Sequence, residues 1–361
     1  MKKILIASVH LDFGGIEKAL INLLKNISPE EYEITLILQE KRGVFLKDVP
    51  SYVKIKTYSV ATTLPVILRK LYNRMHFLFY VLSHYHQYDL AICYAPYDIP
   101  SSLFTKKVGK KSIIWIHSNY THVYPKEDDL RQFFDTRHIE DFDQVVFVSN
   151  EAQKDLIKYY PSLENKSVAI NNLLDFDEII QKSLEPIDFE KKEKNLLFVG
   201  RLEEKSKGLL RLFLIMKNLA QKDKNIHLWV IGDGPDAAMY QTYLAKNQID
   251  NVTLLGAKEN PYPYMREADV FVLPSYYEGF PVVCLEALAL QKKVVTTIDV
   301  STGTFHLKEY AFLCEQEENS IEQTILTALK SSLKKSFDYV AFNTENKNAI
   351  ASILKGEKDE I

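Results

Sequence analysis

Apolar residues along this chain fall into two alternating periods. Residues 3–9 form a short, mostly apolar run that ends before the turn at 12–15. From there Ile16, Leu20, Leu23 and Leu24 recur three or four residues apart. The first pattern predicts a buried strand, the second an amphipathic helix. Strand-like runs recur at 34–38, 90–94, 112–116, 145–149 and 167–170, with helical segments between several of them. Strands that alternate with helices predict a parallel, doubly wound sheet. Residues 183–195 are rich in charge, contain Pro186 and have little apolar content, which reads as a linker. The alternation then restarts, with strands at 196–199, 227–231, 252–255, 270–273 and 293–297 and helices at 209–220, 236–247 and 281–290. The chain is therefore expected to be α/β with an N-terminal domain at 1–185 and a second at 186–340. A tail at 341–361 is expected to be a helix packing back on the first domain. Ligands of such sheets bind beyond the carboxyl ends of the strands, so two facing units would enclose a cleft.

Composition narrows the class. A chain of 361 residues is long enough for two cores. Its 46% hydrophobic and 26% charged residues are those of a globular protein. A net charge of −3 gives no nucleic-acid signal. Locally the balance differs: residues 41–111 hold twelve Lys and Arg against three acids. That is either a solvated basic face or a surface for an anionic partner. Cys93, Cys284 and Cys314 are odd in number and form no CxxC pair, so neither a zinc site nor a disulfide framework is suggested. The apolar run after Lys2-Lys3 is too short for a signal peptide, and no run is long enough to span a bilayer. The expected location is the cytoplasm, at most on the inner face of the cell membrane.

Four places just after predicted strands carry chemistry. Gly14-Gly15 precede a helix, where backbone can approach a ligand and free N–H groups can meet a phosphate; a simple turn is the alternative. Gly200-Arg201 and Lys207-Gly208 place two cations six residues apart on one loop. Such a pair can clamp a diphosphate or merely line an exposed loop. Glu278-Gly279-Phe280-Pro281 opens a predicted helix whose first N–H groups can bind phosphate oxygens, with Glu286 about 8 Å further along. An acid at a helix start can simply complement the dipole, which explains Glu278 but gives no reason for Glu286 inside an apolar helix. His117 follows the strand at 112–116. Asp141-Phe142-Asp143 and Asp175-Phe176-Asp177 have the DxD spacing of metal-dependent transferases. The first precedes a strand instead of ending one, so no metal and no other cofactor is expected.

Over nearly its whole length the chain resembles the family 4 retaining glycosyltransferases. The resemblance rests on Gly14-Gly15 with Glu17, on His117, on Gly200-Arg201-Leu202 with Lys207-Gly208, and on Gly232-Asp233-Gly234-Pro235. It rests further on the run 268–275 leading into Glu278 and Glu286, the Glu-x7-Glu signature. It implies the GT-B fold, two Rossmann-like domains facing across a cleft, and metal-independent transfer of a sugar from a nucleotide-diphosphate donor, UDP-sugar favoured. The implied acceptor is a glycan or a lipid-linked glycan in bacterial surface polysaccharide synthesis. The implied roles put Arg201 and Lys207 on the diphosphate, approached by Gly14 and Gly15, with Gly279, Phe280 and Pro281 at the phosphate-facing helix start. Glu286 would bind the ribose, Gly256, Ala257 and Lys258 would flank the base, and Glu278 and His117 would meet the donor sugar. Two departures stand out: Asn171-Asn172-Leu173-Leu174-Asp175 replaces Pro-Asn-Gly-x-Asp, and 299–303 lacks a Gly-Gly pair found in many relatives. Two other readings remain open, a sugar-nucleotide epimerase or phosphorylase of the same fold, and a non-catalytic partner subunit.

The segment 64–84 is a further candidate. Leu64, Ile67, Leu68, Leu71, Met75, Leu78, Phe79 and Leu82 follow helical spacing and are expected to pack on the first domain. Arg69, Lys70, Arg74, His76, Phe77, Tyr80 and His84 are then expected on the outer side, as a membrane or acceptor surface that Lys106, Lys107, Lys110 and Lys111 would extend. The alternative is an ordinary solvated helix with a few buried aromatics.

Overall fold

The computed structural model describes all residues except 13, 58–62, 97, 188–190, 299–306 and 357–361. The segment 299–303 singled out above therefore lies outside the described residues. The chain divides into two compact units, one of Met1–Leu174 with Asn343–Ile361, the other of Asp175–Phe342.

The first unit holds a seven-stranded parallel sheet. Its strands are β1 (Lys2–Ser8), β2 (Tyr32–Leu38), β3 (Lys54–Thr57), β4 (Tyr88–Cys93), β5 (Gly109–Ile116), β6 (Gln144–Phe147) and β7 (Ser167–Ala169), in the order β3-β2-β1-β4-β5-β6-β7. The centre is buried on both faces, as continuous apolar runs such as Ile4–Ala7 require. β3 is an edge strand, Lys-Ile-Lys-Thr, with no buried residue. Its charges blunt the edge and hide the strand from a reading based on apolar runs. The segment 171–175 is tied in place without the Pro-Asn-Gly turn. Asn171 donates to the Val148 carbonyl at 2.7 Å, Asn22 to that of Leu173 at 3.0 Å, and the Asp175 carboxylate caps the helix Phe176–Lys182.

The second unit has a six-stranded parallel sheet ordered β10-β9-β8-β11-β12-β13. The strands are β8 (Lys194–Val199), β9 (Ile226–Ile231), β10 (Val252–Gly256), β11 (Val270–Leu273), β12 (Lys293–Thr297) and β13 (Phe312–Cys314). The division between the units falls at Leu174, ahead of the linker expected at 183–195. The cause is aromatic packing. Phe176 lies edge-on to Phe337 and Phe342, which draws the helix Phe176–Lys182 into the second unit. Conversely, the last helix, Tyr339–Lys355, returns to the first unit from Asn343 onward. Asn346 accepts the Asn171 N–H at 3.0 Å, and Asn343 donates to the Leu174 carbonyl at 2.7 Å.

Helix α2 (Val66–Ser83) overturns one expectation. The helix forms with Lys70 and Arg74 exposed as expected, but the apolar stripe is exposed too and the aromatics face inward. Phe77, Tyr80 and Val81 pack against a core of Leu5, Ala7, Ile37, Ala91, Phe104 and Val108. Tyr80 meets Phe104 edge-on and stacks on His84. Phe77 and Tyr80 are therefore inward-facing and do not belong to an outer surface. The stripe from Leu64 to Leu82 that was expected to face the domain is exposed instead. Periodicity states which residues share a helix face; which face turns inward depends on the shape of the surface it meets. Here that surface takes two aromatic rings.

Candidate active-site elements at the strand ends

In the second unit the loop after β8 carries Gly200, Arg201 and Leu202. It is braced by the loop after β9: Gly200 donates to Ile231, Leu202 to Asp233, and Asp236 back to Leu202. Gly232 and Gly234 make this bracing possible. A Cβ on Gly232, where φ is +148°, would strike the Gly200 carbonyl, and one on Gly234 would strike the Leu202 backbone. The Gly-Asp-Gly-Pro run thus sets the shape of the loop that displays Arg201. The Arg201 side chain is exposed.

Lys207 ends the short helix Glu204–Lys207, closed by Gly208 in the left-handed region. Its ammonium lies 2.5 Å from Glu278 Oε1, with both side chains mostly shielded from solvent. Ser275 Oγ donates to the same oxygen at 2.6 Å. Lys207 and Glu278, which sequence spacing alone could not connect, form one polar cluster just beyond the carboxyl end of β11. Pro281 precedes the helix Val282–Ala289, and the Val282 N–H already donates to the Phe280 carbonyl at 2.8 Å. That N–H is not open to a phosphate, contrary to expectation; Gly279 remains part-exposed at the turn. Glu286, only 6% exposed, accepts from the Tyr262 hydroxyl at 2.9 Å. Burial and this carboxylate both push the Tyr262 pKa up. Tyr262 supplies the structural reason for a carboxylate in this apolar helix that the sequence did not reveal. Gly256 ends β10 with φ of +70°, Ala257 is exposed, and the Lys258 ammonium lies over the Tyr264 ring.

Sequence reasoning missed Arg211, a buried cation. Its guanidinium donates to the Pro274 carbonyl and to the Gln316 carbonyl at 2.6 Å, and lies 4.1 Å over the Tyr276 ring. It holds the backbone immediately before Glu278. An Arg in the otherwise apolar run Leu209–Met216 was the available signal.

In the first unit Gly14 caps helix α1 (Gly15–Lys25), and Gly15 is exposed with open space where a Cβ would lie. Glu17 is buried beneath Gly14, and burial raises its pKa. His10 lies 4.0 Å from Glu17 and 3.5 Å from Asp12, which pairs with Arg42. His117, beyond β5, is 6% exposed between Tyr94, at 4.4 Å, and Trp115. Neither ring nitrogen makes a well-formed hydrogen bond. Burial drives its pKa down to about 3, with the Tyr94 backbone pulling only partly the other way. The imidazole is therefore neutral near pH 7.

Three of the four DxD carboxylates have structural work. Asp141 pairs with Lys106 at 2.8 Å, Asp143 accepts from the Ser112 N–H at 2.7 Å, and Asp175 is the helix cap described above. Elsewhere in the first unit His122, Glu151 and Asp155 bring ligand-type atoms within 4.8 Å of one another. Asn119 and Lys158 already bind Asp155, at 2.9 and 2.7 Å. The three cysteines are buried and free.

Two domain descriptions match the chain: Glycosyltransferase Family 4 over residues 13–178 and Glycosyl transferases group 1 over 193–331. Among solved structures, Anabaena HepE in complex with UDP and glucose superposes with a TM-score of 0.73 at 16% identity, covering 98% of this chain and 100% of that one. The two-sheet architecture is thus the GT-B fold. The chain belongs to the family 4 glycosyltransferases. An uncharacterized glycosyltransferase of Methanocaldococcus jannaschii is 29% identical over 62% of this chain and 56% of its own length. The N-acetylgalactosamine-N,N'-diacetylbacillosaminyl-diphospho-undecaprenol 4-alpha-N-acetylgalactosaminyltransferase of Campylobacter jejuni is 33% identical over 51% of this chain and 50% of its own. The match to these two curated relatives spans about half their length.

Proposed function

We propose that this protein is a retaining glycosyltransferase that moves a sugar from a nucleotide-diphosphate donor, a UDP-sugar, to a glycan or lipid-linked acceptor in bacterial surface polysaccharide synthesis. The observation that carries the reading is the Lys207–Glu278–Ser275 cluster at the carboxyl end of β11, with Arg201 displayed beyond β8. The UDP and glucose named with HepE, and the diphospho-undecaprenol glycan named for the Campylobacter relative, support the donor and acceptor classes.

In this mechanism Arg201 and Lys207 bind the diphosphate and stabilise the charge that develops on it as the C1–O bond breaks. The acceptor oxygen bonds to C1 on the face the diphosphate leaves, and its proton passes to a departing phosphate oxygen. A diphosphate competes with Glu278 for the Lys207 ammonium. The released carboxylate then accepts from hydroxyls of the donor sugar. Glu286, oriented by Tyr262, accepts from the ribose. Two side-chain cations do the work that a metal ion does in DxD enzymes, so no metal is required.

The test is nucleoside diphosphate release from a panel of nucleotide sugars, with and without acceptor glycans and with and without EDTA. Turnover with one UDP-sugar that persists in EDTA and gives an α-linked product from an α-donor is expected. Lys207→Met should lower kcat/KM by roughly 10- to 100-fold, the loss of one charge-assisted contact. An inverted product, dependence on Mn²⁺, or near-normal kinetics in folded Lys207→Met would each refute its part of the proposal. Conversion of donor alone to an epimer, or no turnover with any donor, would replace it with an epimerase or a non-catalytic subunit.

A further inference from the structure

Among the described residues, one group of three metal-ligating side chains comes together outside the residues assigned to sugar transfer: His122, Glu151 and Asp155 in the first unit. Glu151 and Asp155 stand one turn apart on the helix Asn150–Ile157, whose Ala152 and Leu156 are buried. His122 comes from a different element, the short helix Tyr120–Val123 that follows β5. Both helices begin just past the carboxyl ends of strands, β5 and β6, the edge where sheets of this kind take ligands. Tyr120, Ala152 and Leu156 belong to one buried core, so the three ligand atoms rest on a common rigid base. Asn119 fixes the approach of the two helices. Its Oδ1 accepts from the Thr121 hydroxyl at 2.7 Å, and its Nδ2 donates to Asp155 Oδ2 at 2.9 Å.

The donor set selects the ligand. The imidazole nitrogen and two carboxylate oxygens lie within 4.8 Å of one another. Around a tetrahedral Zn²⁺ with bonds of roughly 2.0–2.2 Å such atoms stand about 3.4 Å apart, a closure that side-chain rotation supplies. Carboxylates alone would suit Ca²⁺ or Mg²⁺, which take oxygen ligands; an imidazole arriving from a second helix favours a transition cation. A competitor is present. Lys158 holds Asp155 Oδ1 at 2.7 Å, but its side chain is 69% exposed and free to swing into solvent. We propose that His122, Glu151 and Asp155 bind Zn²⁺, with water in the fourth position, and that the ion clips the segment after His117 to the helix Asn150–Ile157. Lys158 gives way as the ion enters, and Asn119 is the outer partner that orients Asp155. The site is structural and does not rest on the donor chemistry proposed above, which uses other residues.

The test is equilibrium dialysis of the full chain, first treated with chelator, against Zn²⁺. Saturation at a single ion per chain is expected. His122→Ala and Glu151→Gln should each weaken binding roughly tenfold or more. Lys158→Met removes the competitor for Asp155 and should tighten binding several-fold. His122 and Lys158 are exposed, so in chelator both variants should melt with the wild type. Co²⁺ in place of Zn²⁺ should give the visible absorption of a four-coordinate ion, and His122→Ala should abolish it. Trp115 lies buried on β5 and reports on this unit. In Trp229→Phe background, saturating Zn²⁺ should raise the Trp115 melting transition by roughly 5 °C, and His122→Ala should remove the rise. Absence of saturable Zn²⁺ binding overturns the inference. So does binding that His122→Ala and Glu151→Gln leave unchanged, which assigns the ion to other groups. Weaker binding in Lys158→Met, or a Trp115 transition that saturating Zn²⁺ does not move, overturns it as well.

Discussion

At the scale of single residues the sequence-based assignments gained partners that change their meaning. Lys207 and Glu278 were separate candidates, one for phosphate and one for sugar, and the fold makes them a pair 2.5 Å apart. Glu286 was conspicuous because an apolar helix seemed to offer it nothing, yet Tyr262 reaches it. His117 carries a prediction about pH. An ordinary imidazole titrates near 6.5, while burial holds this one at about 3. Between those values the unfolded chain binds a proton that the folded chain does not. Stability therefore rises with pH through that window, is lost on acidification below about 6.5, and is unaffected above it. His117→Phe keeps a ring against Tyr94 and Trp115 and removes the titration. From about pH 7 to about pH 5 the wild type should lose roughly 2 kcal/mol more than the variant in urea denaturation. Parallel losses in the two proteins would rule out a buried neutral imidazole.

At the scale of elements, the candidate site residues lie on loops at the carboxyl ends of parallel strands, and buried polar groups hold the loops. Arg211 is the clearest case, joining its helix to the Pro274 and Gln316 carbonyls. Arg211→Met keeps much of the stem's volume and leaves those carbonyls without their donor. It should destabilise the second unit by about 2–4 kcal/mol, read through Trp229 fluorescence in denaturant. It should also lower turnover, because the same backbone leads into Glu278. An unchanged midpoint would show that the contacts are dispensable. Helix α2 is the opposite case, an element whose apolar stripe stays exposed while Phe77 and Tyr80 hold it to the core.

At the scale of the whole molecule, chain order and unit membership part company. The last residues, 343–361, belong with the first unit, although the second lies between them in sequence. Ile350, Ile353 and Leu354 are buried there, and Asn346 holds the Asn171 backbone. Trp115 reports on the first unit and Trp229 on the second, the chain's only tryptophans. Ending the chain after Phe342 should remove roughly 5 kcal/mol or more of burial from the first unit. The Trp115 transition should then move to a markedly lower temperature in Trp229→Phe background, while the Trp229 transition in Trp115→Phe background moves little. Equal shifts in both would mean the tail supports the second unit as well.

The strands of both sheets were legible wherever they are central, because a strand buried on both faces must be apolar throughout and therefore stands out. So were the strand-end glycines and charges, since a turn or a close backbone approach demands them in order along the chain. The charged edge strand Lys54–Thr57 was not, because an exposed edge selects against the apolar signal. The meeting of Lys207 with Glu278, the Tyr262 brace on Glu286 and the Arg211 anchor join residues distant in sequence, and no local pattern encodes which of them meet. The same holds for α2. Its sequence alone determined that one face is apolar and the other polar and aromatic. Only tertiary structure decided which face turns inward, because that depends on whether the sheet beneath leaves room for aliphatic side chains or for the rings of Phe77 and Tyr80.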